Sequence, residues 1–395
     1  MIKIVLYTEN YFPGGLERFI FDILESKKYD IFIIVNDENN RIIEFAKNNN
    51  LKYSAIKLTD FKICKLKSNN IVNILIKIFN FLAYYIAMLP NYFKIRNVLL
   101  DLKNYNNFLI INGGYPAALS CFSAALAAKK VGFKKIGMSI LSLPSSNYSN
   151  KIFRFFQSKI DSFVNKAIDF YIPNSNEIKI QLTKNININP EKIHVVYTGV
   201  PIPDNISKLT ILSYDNSCIK KNNNDFWIIM VGLLGSTKRQ DLLLNAIATM
   251  DTNIRLLLVG DGPNRLALEA MARNLGLGNR VVFLGWINPV NDVYRFADIL
   301  VFLSNQEGLP YVISEAMSYK LPIIASSVGG IPEQIKDNIG GLLVSNDDIN
   351  TIKEKINYLK DRIEIREQFG LYSYERLQTY FSLDVMNNEL LKLYK

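Results

Sequence analysis

Residues 297–333 read ADILVFLSNQEGLPYVISEAMSYKLPIIASSVGGIPE, and the order of signals in this stretch decides the fold. Ile299 to Leu303 is a short apolar run of strand type, Ser304 to Gly308 is a polar turn, and Pro310 suits the first helical turn, where its missing N–H costs nothing. Strand, loop and helix follow in that order. A loop of this kind lies at the carboxyl end of a parallel strand, where open α/β sheets bind ligands. Its free N–H groups from Leu309 onward suit a phosphate. Two carboxylates flank the helix start: Glu307 in the loop and Glu315, eight residues on, inside the helix. They do not form a pair on one helix face, so they bracket a ligand several ångströms long. A carboxylate beside a phosphate is repelled unless hydroxyls donate to it, and sugars and riboses offer hydroxyls in pairs. The residues therefore point to a nucleotide sugar. The alternative is a solvated loop Glu and a helix-surface Glu.

The pair does not stand alone. Glu307-Gly308-Leu309-Pro310, Glu315-Ala316-Met317, a Pro-led strand from Pro322 to Ala325 and Gly329-Gly330-Ile331-Pro332-Glu333 follow in a fixed order. This ordered set resembles the EX7E signature of retaining glycosyltransferase family 4. The resemblance implies an α/β fold of GT-B type, two Rossmann-like domains facing each other across a cleft. It also implies that Glu307 contacts the donor sugar, that Gly308 and Leu309 reach the diphosphate or sugar through backbone N–H groups, and that Glu315 contacts the ribose. The likeness is strong over 226–345, moderate over 1–25 and near 190–201, and absent in detail over 50–190.

Working upstream, a strand ending Met230-Val231-Gly232 leads through Leu233-Leu234-Gly235-Ser236-Thr237-Lys238-Arg239-Gln240 into an apolar helix. This is similar to the family's basic loop, in which an Arg and a Lys clamp the diphosphate. Lys238 matches the lysine. Leu233 stands at the arginine position and cannot donate, so Arg239 or a group from the first domain must replace it, or one clamp is missing. A cation at a helix start is disfavoured by the helix dipole, which itself favours an anionic ligand there over a merely solvated lysine. Gly260-Asp261-Gly262-Pro263 is a second strand-to-helix turn, but Arg265 stands where a dinucleotide fingerprint needs its third glycine. By resemblance Gly262 and the later Phe283 to Trp286 border the base. Trp286 reads equally as core or as a stacking surface, and the GGIPE run as a fold-forming turn.

The first half opens with strand Ile2–Tyr7 and then Tyr11-Phe12-Pro13-Gly14-Gly15-Leu16-Glu17-Arg18. Gly14 and Gly15 let the backbone approach a ligand, and the following helix start offers donors to a phosphate. A tight turn has the same look; the family's glycine-rich loop to the donor diphosphate occupies this place.

Apolar runs of four to seven residues alternate with amphipathic segments throughout the 395 residues, the pattern of parallel sheets covered by helices. The expected strands are Ile2–Tyr7, Ile31–Val35, Phe108–Ile111, Lys135–Ile140, Phe170–Ile172 and Ile193–Val196, then Phe226–Val231, Arg255–Val259, Val281–Leu284, Ile299–Leu303, Ile323–Ala325 and Gly341–Val344. Helices are expected near Gly15, Glu38, Tyr115, Tyr148 and Asn174. The domains expected are 1–205, binding acceptor; a linker, 206–225; 226–380, binding the nucleotide-sugar donor; and a terminal helix, 381–395, crossing back to the first domain with Tyr380-Phe381 as its anchor.

Charge is sorted. Residues 1–205 carry 26 Lys+Arg against 15 Asp+Glu, net +11, while the remainder carries 20 against 21, net −1. Cys64, Cys121 and Cys218 lack CxxC spacing, so neither a disulfide framework nor a zinc site is expected and a reduced compartment fits. The single histidine, His194, reads as structural, which excludes Ser-His-Asp and Cys-His mechanisms and histidine metal clusters. Gly137 to Ser142 lacks the histidine that many family members set beside the donor sugar. No helix-turn-helix or zinc spacing supports a nucleic-acid partner for the basic half. The apolar 71–90 stretch, IVNILIKIFNFLAYYIAMLP, leaves open a spanning helix, a buried helix or a helix lying on a membrane surface.

The expected function is retaining transfer of a sugar from a nucleoside-diphosphate sugar, a UDP-sugar first among them, to a saccharide or lipid-linked acceptor in surface polysaccharide synthesis. By resemblance attack occurs on the front face and the departing diphosphate takes the acceptor proton. Lys238 and the N–H groups of Gly15 and Leu309 would stabilise its charge, with no metal and no cofactor beyond the donor. The candidate site is Glu307 and Lys238 for catalysis, and Gly14, Gly15, Gly232, Lys238, Arg239, Gly262, Trp286, Glu307, Gly308, Leu309 and Glu315 for the donor. The expected location is cytoplasmic, peripheral on the inner face of the membrane, with Lys62, Lys65 and Lys67 meeting anionic head groups. The alternatives are a GT-B epimerase, which needs no acceptor, and a non-catalytic binding relic, suggested by Leu233.

Overall fold

A computed structural model describes residues 1–10, 14–59, 85–116, 118–144, 151–215, 217–345 and 348–395 and, of residues 151–156, the backbone alone. The chain divides into two units, Met1–Val196 with Asn387–Lys395, and Tyr197–Met386.

The first unit is a six-stranded parallel sheet of β1 (Ile2–Thr8), β2 (Tyr29–Asn36), β3 (Lys52–Ile56), β4 (Asn107–Asn112), β5 (Lys135–Ile140) and β6 (Phe170–Pro173), ordered β3-β2-β1-β4-β5-β6. Its helices are α1 (Gly15–Glu25), α2 (Asn40–Asn48), α3 (Met88–Leu100), α4 (Leu119–Val131), α5 (Lys151–Asn165) and α6 (Asn176–Ile186). Central strands such as Ile4–Tyr7 and Phe108–Ile111 are buried on both faces, which is why they read as unbroken apolar runs. β3, KYSAI, was not among the expected strands. It is an edge strand whose side chains, Ile56 apart, are exposed or half-exposed, and so it carries no apolar run. Ile193–Val196, expected as a strand, is not one. It borders β6 only through a bridge at Tyr171–Ile193 and bonds from the His194 and Val196 amides to Tyr171 and Pro173, because β6 itself stops after four residues.

The second unit repeats the plan. Its sheet is β9 (Phe226–Val231), β10 (Ile254–Val259), β11 (Val281–Gly285), β12 (Ile299–Phe302), β13 (Ile323–Ser326) and β14 (Leu342–Val344), ordered β11-β10-β9-β12-β13-β14 and parallel throughout. The covering helices are α7 (Gln240–Ala248), α8 (Arg265–Asn274), α9 (Asn291–Phe296), α10 (Tyr311–Ser318), α11 (Ile331–Gln334), α12 (Ile349–Lys360) and α13 (Ile363–Arg376). All six strands expected in this half are present to within a residue. In both sheets the winding reverses beside the first strand, between β1 and β4 and between β9 and β12. Such a switch point leaves a crevice beyond the strand ends, because the two flanking loops turn to opposite faces.

The domain borders differ from those expected. The chain passes to the second unit at Tyr197, and 206–225 is not a free linker. It forms the antiparallel hairpin β7 (Ile211–Tyr214) and β8 (Ser217–Lys220) and is fastened to the α9 region: the Leu209 amide donates to Arg295 O at 3.0 Å, Lys208 Nζ to Ala297 O at 2.8 Å, and Lys221 Nζ pairs with Asp298 at 2.6 Å. Burial holds the Lys208 ammonium down, at a pKa of about 8. The last helix, α14 (Leu383–Tyr394), belongs to the second unit through Met386 and to the first from Asn387. The expected anchor, Tyr380-Phe381, lies entirely in the second unit, where Phe381 is buried against Tyr197. Anchoring on the first unit falls instead to Tyr394, whose hydroxyl donates to Phe108 O at 3.3 Å and whose ring meets Phe170.

Candidate donor site in the second unit

β9 ends at Val231, and the turn that follows must bend sharply beside β10. Gly260 allows it: its φ is +127°, and a Cβ there would lie 2.1 Å from the Gly232 carbonyl oxygen. Gly232 in turn donates to Val259 O at 2.9 Å, and the Leu234 amide to Asp261 O at 3.0 Å. The buried side chain of Gln240 donates to Leu233 O at 2.9 Å and closes the loop from its far end. Lys238 and Arg239 are thereby held at the entry to α7.

The loop after β12 is stitched to this one. The Asn305 amide donates to Thr237 O at 2.9 Å, Ser304 Oγ to the same oxygen at 3.1 Å, and Arg239 Nη1 to Asn305 Oδ1 at 3.3 Å. The stitching brings the two expected catalytic side chains into contact: Lys238 Nζ donates to Glu307 Oε1, and the ammonium stands 4.7 Å from the centre of the Phe302 ring. Both are partly shielded, with side-chain exposures of 21% for Lys238 and 11% for Glu307. Partial burial strengthens the attraction relative to a surface pair. The cation and the anion of the site thus neutralise each other.

The GGIPE run expected as a turn supports Glu307 from behind. Gly329 has φ +55°, and a Cβ on it would stand 1.9 Å from the Glu307 carbonyl oxygen; the Gly330 amide donates to Gly308 O at 2.8 Å. A side chain at 329 would push the Glu307 loop outward. The amides of Gly308 and Leu309 have no partner among the described residues. Pro310, expected inside the first helical turn, is instead the residue before it, at ψ 127°; Gln334 Nε2 donates to its carbonyl at 3.1 Å.

Glu315 is the fifth residue of α10, and its Oε2 accepts from the Tyr294 hydroxyl at 2.7 Å. Sequence reasoning missed Tyr294, which reads as an ordinary core aromatic before ADIL. Gly262 follows β10 and donates to Asp261 Oδ1 at 2.7 Å, while Arg265 is engaged with Asp261 and Glu269 at 3.1 and 2.9 Å. Two large apolar side chains remain open beyond the strand ends, Trp286 at 66% exposure and Leu233 at 56%. Trp286 is accordingly not core. Arg239 adopts φ 42° and contacts Asp241 at 3.3 Å. Gly14 and Gly15 lie in the first unit, where Gly14 precedes α1 without a side-chain cap; Tyr11, Phe12 and Pro13 fall outside the described residues.

Residues 217–376 match the profile of the family described as Glycosyl transferases group 1. Over this unit the chain is similar to the group 1 glycosyltransferases. Among curated relatives, a Campylobacter jejuni α-1,4-N-acetyl-D-galactosaminyltransferase, named for a diNAcBac-PP-undecaprenol-linked substrate, is 32% identical over 187 residues, 46% of this chain and 50% of the relative. An uncharacterised Methanocaldococcus jannaschii glycosyltransferase is 24% identical over 93% of this chain and 92% of its own. This chain spans about half the length of the first curated relatives it matches, 50% and 58%. In fold, the chain aligns with Anabaena HepE, crystallised with UDP, at a TM-score of 0.76 and 18% identity over 99% of both chains. The architecture is GT-B, built of two Rossmann-like units.

Proposed function

We propose that the chain is a retaining glycosyltransferase that moves a sugar from a UDP-sugar to a saccharide or lipid-linked acceptor in surface polysaccharide synthesis. The observation that carries this reading is the contact of Lys238 with Glu307 at the β9/β12 switch point, with Glu315 on the helix that follows. In the proposed reaction the bond from the sugar C1 to the diphosphate oxygen breaks, and an acceptor oxygen bonds to C1 from the same face. The acceptor proton passes to the departing diphosphate. Lys238 and the open amides of Gly308 and Leu309 stabilise the charge that grows on that leaving group. Glu307 takes hydroxyls of the donor sugar. The step calls for no metal ion. HepE crystals hold UDP, which supports uridine as the first base to try. A panel of nucleotide sugars scored for slow hydrolysis without acceptor tests the reading. One UDP-sugar is expected to be cleaved to UDP and free sugar, whereas release of UDP with an epimerised sugar, or no turnover of any donor, contradicts it.

The first unit is proposed to bind the acceptor at an anionic membrane surface. Its charge excess supports this, as does a trough of about 680 Å³ lined by Tyr85, Met88, Leu89, Leu126 and Phe163 and rimmed by lysines. Leu89 and Phe163 are each 62% exposed. Lys129 pairs with Asp169 at 3.3 Å, whereas Lys130 and Lys166 have no ion pair among the described residues. Lys62, Lys65, Lys67 and residues 71–84 fall outside the described residues. No described helix is long and apolar enough to cross a membrane. Each Lys near anionic lipid contributes about 1 kcal/mol, fading within a Debye length. Flotation with anionic vesicles should show salt-sensitive binding that falls about tenfold on Lys130→Glu with Lys166→Glu. No binding at low salt would favour a soluble acceptor.

A further inference from the structure

Tyr294 and Glu315 form a pairing that the family resemblance did not suggest. Tyr294 is completely buried on α9, its ring stacked on Tyr319 with centroids 5.5 Å apart and planes inclined by 13°. A buried phenol must place its hydroxyl, and this one donates to Glu315 Oε2 at 2.7 Å. The second oxygen, Oε1, has no partner among the described residues, and Glu315 is only half-buried. One carboxylate oxygen is thus held from inside the fold while the other stays open. A free glutamate rotates about three bonds, and fixing it only when ligand arrives costs affinity; a residue already fixed avoids that cost.

We propose that Tyr294 is a positioning residue that aims Glu315 at the ribose hydroxyls, so that the pair makes the site select ribonucleotides over nucleotides lacking those hydroxyls. This rests on the proposed reading of Glu315 as the ribose contact. Phe at 294 keeps the ring, its stacking and its burial, and removes only the hydroxyl.

Calorimetric titration of UDP and of 2′,3′-dideoxyuridine diphosphate into wild type, Tyr294→Phe and Glu315→Ala tests the proposal. Wild type is expected to prefer UDP by about tenfold or more, the worth of one charge-assisted hydrogen bond. Tyr294→Phe should weaken UDP about fivefold and leave the dideoxy nucleotide unchanged, so the preference shrinks. Glu315→Ala should abolish the preference. A Tyr294→Phe protein that binds both nucleotides as wild type does, or that weakens both equally, overturns the positioning role, the second result marking Tyr294 as merely structural. A preference that survives in Glu315→Ala overturns the ribose assignment itself, and wild type that binds neither nucleotide overturns both.

Discussion

Glu307→Gln is expected to lower kcat by about 10²–10³-fold, the usual cost of removing a positioned charge from a transition state, while UDP affinity stays at the wild-type level or rises. The amide matches the carboxylate in shape, so the loop held by Gly329 and Gly330 should not move. What disappears is the negative charge facing Lys238. That charge neutralises the ammonium, which also rests on the Phe302 ring. Without it Lys238 is free to meet a diphosphate, and binding and turnover should move in opposite directions. Steady-state kinetics beside nucleotide titration separates the two. A variant with turnover within a factor of two of wild type would remove Glu307 from the reaction.

Lys238→Ala should harm both binding and turnover. Its ammonium is the cation held at this switch point, and a charge-assisted hydrogen bond is worth about 1.5–3 kcal/mol, which corresponds to roughly 10- to 150-fold. A second effect adds to the first: the variant leaves the Glu307 carboxylate, 11% exposed, without its partner and facing the incoming diphosphate. Leu233 cannot compensate, and Arg239 is already engaged with Asp241 and Asn305. kcat/KM should fall further than either loss alone would give. Unchanged kinetics would mean that the phosphate site lies elsewhere.

The second unit was the more legible in sequence for a physical reason. Parallel strands covered on both faces must be continuous apolar runs, and FWIIMV, ILVF and IIAS are. KYSAI gives no strand signal because an edge strand needs no such run, and 206–225 reads as a linker because a short hairpin seated on α9 leaves only scattered polar anchors such as Lys208 and Lys221. Candidate site residues can be named from sequence where a motif fixes their type. Their mutual contacts cannot. Lys238 and Glu307 stand 69 residues apart, and their pairing depends on backbone bonds between two loops. Tyr294 carries no signal beyond that of a core aromatic, and its role appears only once α9 is seen beside α10. Gly329 announced a turn, but not that the turn leaves no room between itself and the Glu307 carbonyl.

The second unit is expected to bind a nucleoside diphosphate at Lys238. Calorimetric titration of UDP into wild type and Lys238→Ala, side by side in low salt, tests it most directly. Saturable binding by wild type that weakens at least tenfold in the variant is the predicted result. Equal affinity in the two proteins would contradict it.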